Sequence, residues 1–69
     1  MTVEALLEKL KNERVSMITS SCVYGSEALQ AMKRNDYDAA MTYVDDSNEC
    51  SKKAQQLDMI IAEIEKRVS

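Results

Sequence analysis

Few side chains in this sequence have the types that chemistry needs. They are two cysteines, Cys22 and Cys50, the acidic run Asp45-Asp46-Ser47-Asn48-Glu49, and Tyr24, Tyr37 and Tyr43. A cysteine acts as a nucleophile only as thiolate, which needs an electropositive setting. Cys50 follows Glu49 and lies close in sequence to Asp45 and Asp46, so a small packing role is expected instead. The chain has no histidine. Neither a Ser-His nor a Cys-His pair can be built, and the commonest acid, base and metal ligand is missing. No catalytic, cofactor-binding or metal-binding residue is expected, and the chain is read as a non-enzyme.

The acidic run lacks the alternating ligands and central glycine of a calcium loop. Helical periodicity passes through it, which makes it a solvated face that a basic partner can also read. Gly25 is the only glycine. It forms no phosphate-cradling loop, because neither GxGxxG nor GxxxxGK[ST] occurs. The tyrosines are expected to gather toward a turn as packing residues with wet hydroxyls.

The elements carrying these residues are helices. Ala, Leu, Met, Glu, Lys and Gln dominate, prolines are absent, and Phe and Trp do not occur. Thr2 is placed to cap a first helix, with Val3, Leu6, Leu7, Leu10, Met17, Ile18, Ala28, Leu29 and Met32 at helical spacing. Lys33-Arg34-Asn35-Asp36 then stops one helix and starts another. The cations oppose a helix C-terminus, and Asn35 or Asp36 caps the next. Tyr37, Met41, Val44, Ala54, Leu57, Ile61, Ile64 and Val68 form the second stripe. Glu49 with Lys53 and Glu63 with Arg67 are favourably oriented pairs at i,i+4. The expectation is one all-α domain over 1-69, an antiparallel hairpin with a helix over about 3-34, a turn at about 34-36 and a helix over about 37-67.

Folded about residues 35 and 36, facing residues have numbers that sum to about 71. Val3 meets Val68, Leu7 meets Ile64, Leu10 meets Ile61 and Met17 meets Ala54. Ala28 lies near Tyr43 and Val44. In the middle, Ser21, Cys22 and Gly25 face Asp46, Ser47, Cys50 and Ser51. Cys22 and Cys50 come opposite one another there, in reach of a disulfide if the compartment oxidises thiols. The run Ile18-Thr-Ser-Ser-Cys-Val-Tyr-Gly-Ser-Glu27 has three readings: a break at Gly25 with a short third helix behind it, a thin waist in one continuous helix, or a ligand site. An interior glycine costs roughly 1 kcal/mol against alanine, which keeps the break open.

A chain of 69 residues is short for a self-sufficient core. Two rods bury only their seam, and Val15, Val23, Tyr43, Met59 and Ile60 sit off it or at its edge. Together with the waist residues Ser21, Cys22, Gly25, Ser47 and Cys50 they form the candidate interface. A homodimeric four-helix bundle is the preferred solution, ahead of a hairpin docking a helix of another protein.

The formal charge of -3 and scattered basic pairs, Lys33-Arg34, Lys52-Lys53 and Lys66-Arg67, argue against a nucleic-acid surface. No stretch reads as a secretion leader or a membrane span, and two cysteines make no disulfide framework. A cytoplasmic protein with reduced thiols is expected.

The stretch EALQAMKRNDYDAAMTYVDDSNECSKKAQQL resembles the helix-turn-helix portion of lactose/cellobiose-type IIA phosphotransferase proteins. The resemblance implies a helical hairpin. That family's phosphoryl-accepting histidine has no counterpart here, so its activity is not implied. In size, charge and format the chain is also similar to the small helical-hairpin co-chaperones of type III secretion needle subunits, and to small accessory proteins of phages and plasmids. Three functions are expected. The wide apolar stripes and the missing catalytic groups point first to a homodimeric interaction or regulatory module; the second is an escort for a helical partner, and the third an oligomeric nucleic-acid regulator with its lysine-arginine pairs gathered on one surface.

Overall fold

The structure, a computed structural model, describes residues 2 to 68. Met1 and Ser69, the ends of the expected domain, lie outside the described residues. Helix α1 runs Val3–Lys33 and helix α2 runs Tyr37–Val68, packed against each other as an antiparallel hairpin. No strand occurs among the described residues.

Local chemistry fixes both ends of α1. Thr2 is extended and its Oγ1 accepts from the Ala5 backbone N–H at 3.1 Å, capping α1. At the other end Asn35 adopts φ 61, the left-handed conformation that asparagine tolerates better than most residues. The Asn35 N–H then reaches the Met32 carbonyl at 3.0 Å, and the Asp36 N–H reaches that of Ala31 at 2.9 Å. These are the two bonds of a Schellman stop. Asp36 starts α2, its Oδ1 accepting from Ala39 N–H at 3.2 Å. The two capping candidates therefore divide the work: Asn35 ends one helix and Asp36 opens the next.

Gly25 does not break α1, which is continuous across the whole run from Ile18 to Glu27. The glycine's weak helix propensity is outweighed by the packing of a long helix along its neighbour.

The seam is built from small side chains. Among the described residues Ala28, Ala31, Ala40, Ala54 and Ile61 are the buried hydrophobic ones, and no large side chain is fully buried. Leu6, Leu7, Leu10, Met17, Leu57 and Ile64 are half-buried around them. Alanine at facing positions lets two helix backbones approach closely, because interaxial distance follows the size of the contact residues. The result is a rod of 51 × 15 × 14 Å with a radius of gyration of 15.6 Å. A globular chain of this length would have about 11 Å.

Several apolar residues expected in the seam are outside it. Val3 and Val68 are exposed at the open end, and Ile18, Leu29, Met32, Tyr37, Met41 and Val44 are exposed elsewhere. The seam of α1 follows Met17, Ser21, Tyr24, Ala28 and Ala31, each half-buried or buried. Ile18, Leu29 and Met32 each lie one residue, roughly 100° around the helix, beyond a seam position.

Candidate interaction surface

Ser21 is the centre of the waist. Its Oγ lies 2.8 Å from Ser51 Oγ and 3.1 Å from Ser47 Oγ, and Ser47 donates to the Ser21 carbonyl at 3.0 Å. Because Ser47 spends its proton on that carbonyl, its oxygen is left to accept from Ser21. The order is therefore Ser51 to Ser21 to Ser47 to the Ser21 carbonyl. Three short hydroxyl side chains tie the helices together where both thin to small residues. The expected facing of Ser21 with Ser47 and Ser51 is met.

The other waist residues separate. Cys50 is half-buried and Cys22 exposed, and both are free thiols. Ser21 takes the place facing α2, which turns Cys22 to the flank, so no disulfide crosses the waist. Gly25 is half-buried, yet a Cβ added there would meet nothing within 4 Å. Close approach of α2 is thus not what calls for glycine at this position.

Tyr24 and Tyr43 stack across the helices with ring centroids 6.5 Å apart and planes at 26°. Tyr37 does not join them. It stands exposed at the turn, its hydroxyl donating to Asn35 Oδ1 at 3.2 Å. Ion pairs brace the far half of the rod. Arg14 meets Asp58 at 2.8 Å, Lys11 meets Glu65 at 3.4 Å, and Arg67 meets Glu63 at 3.4 Å within α2. Among the described residues no ion pair joins Glu49 to Lys53, whose exposed side chains stay hydrated.

The hairpin has two unlike flanks. One groove is lined by Ile18, Cys22, Ser51, Gln55 and Asp58 with seam residues Ser21 and Ala54 at its floor. Helical spacing continues this flank along α1 through Val15, Gly25, Leu29 and Met32, and along α2 through Met41 and Val44. The opposite groove is lined by Glu13, Ser16, Met17, Lys53, Gln56, Leu57 and Ile60, and Val23 falls on that side. Its rim is polar and charged. The candidate interface residues are therefore not one surface. Val15, Cys22 and Gly25 share the first flank, whereas Val23 and Ile60 share the second. Ser21, Tyr43, Ser47 and Cys50 belong to the seam, and Met59 stands exposed on the outer side of α2.

The first flank also contains residues that the seam was expected to hold. Leu29 is 62% exposed, Met32 50%, Val15 57% and Ile18 48%. The signal was present in the spacing: Val15, Ile18, Cys22, Gly25, Leu29 and Met32 alternate intervals of three and four, as a helix-packing stripe does.

Among the described residues no three Cys, Asp or Glu side chains gather to hold a metal ion. The acidic run lies on α2 with Asp45, Asp46, Asn48 and Glu49 exposed, while Ser47 turns inward. Among the described residues, no helix is long and apolar enough to cross a membrane.

No protein-family model, curated protein or solved structure matches the chain. The resemblance carried by residues 27 to 57 gains no support from them, and the functional reading stands on geometry.

Proposed function

We propose that this chain is a non-enzymatic protein-protein interaction module, an accessory or regulatory protein that works as a homodimer through a helical face. One observation carries the reading: a two-helix rod buries four alanines and one isoleucine while, among the described residues, twelve large apolar side chains stay exposed. Scattered exposed apolar residues are ordinary, but a continuous apolar flank along one helix is a surface for another helix. The surface area supports it as well. The hairpin exposes 5198 Å², against about 4,400 Å² for a compact monomer of 7.8 kDa.

The basic pairs are held apart, Lys33-Arg34 at the turn, Lys52-Lys53 midway and Lys66-Arg67 near the open end of a 51 Å rod. Such dispersal disfavours a nucleic-acid role in the single hairpin. Two free thiols suit a reducing compartment, so the cytoplasm is the proposed location.

Light scattering on a size-exclusion column tests the reading at micromolar concentration. A mass twice that of the chain is the expected outcome. A stable, helical monomer across the concentration range overturns the self-association. A chain that folds only when a helical partner is co-expressed would replace it with the escort role.

A further inference from the structure

We draw no further inference here: the strongest candidate, the apolar surface patch that runs along α1 through Ile18, Leu29 and Met32 and onto Met41 and Val44 of α2, is an unpartnered helical flank, and nothing in the structure shows what covers it.

Discussion

Ser21 Oγ lies 2.8 Å from Ser51 Oγ, joining α1 to α2 at the thinnest level of the hairpin. With Ser47 it forms a three-hydroxyl chain in which each proton has an acceptor. No buried side-chain polar atom among the described residues is left without a partner. Removing Ser21 Oγ by Ser21→Ala breaks the middle of that chain. The expected loss is about 1 kcal/mol, the net worth of a typical hydrogen bond. In a domain this small that lowers the melting temperature by roughly 4–8 °C. Thermal unfolding followed by circular dichroism measures it, and an unchanged midpoint would show that the hydroxyls are merely wet. Ser21→Leu should cost more, about 1–3 kcal/mol, because a large side chain forces the helices apart.

Gly25 separates two effects that are usually mixed. Since an added Cβ meets nothing within the hairpin, Gly25→Ala should stabilise the helix by about 0.5–1 kcal/mol with no steric cost in the single chain. Gly25→Leu should keep helicity but weaken the proposed self-association, because its side chain stands out from the flank that carries Ile18 and Leu29. Circular dichroism and light scattering on the same two variants read the two effects apart. A Gly25→Leu protein that self-associates as the wild type does would place the contact elsewhere on the rod.

Flank identity gives a paired prediction. Leu29→Asp places a charge on the apolar flank of α1 and should abolish the proposed self-association. Val23→Asp, equally exposed but on the other side of α1, should leave the mass unchanged. The reverse pattern would assign assembly to the opposite flank. A wild-type melting temperature that rises with chain concentration belongs to the same prediction, since association stabilises the folded state by mass action.

The Arg14–Asp58 pair is short, at 2.8 Å, but its side chains are about one third and one half exposed. Exposed pairs are worth about 0.2–1 kcal/mol by double-mutant cycle. The coupling between Arg14→Ala and Asp58→Ala should fall in that range and shrink toward zero in 1 M salt, where screening acts within about 3 Å. Coupling that survives high salt would mean that packing of the arginine stem, and not charge, holds the contact.

The helices, the turn and the small-residue waist were legible from residues 2 to 68 because their causes are local. Thr2 caps, Asn35 and Asp36 divide a stop and a start, and intervals of three and four mark helical stripes wherever they occur. The hairpin register followed from the short turn, and it brought Ser21 opposite Ser47 and Ser51. The sequence by itself could not decide which of two neighbouring stripes on α1 faces α2. Met17-Ser21-Tyr24-Ala28 and Ile18-Cys22-Gly25-Leu29 have the same spacing, and the second is the more apolar. Hydrophobicity alone therefore favours the wrong one at Ile18, Leu29 and Met32. Tertiary structure turns the helix by one residue, because alanine and serine allow the backbones a close approach that leucine and methionine would block. That rotation left the larger side chains outside, and with them the surface on which the proposed function depends.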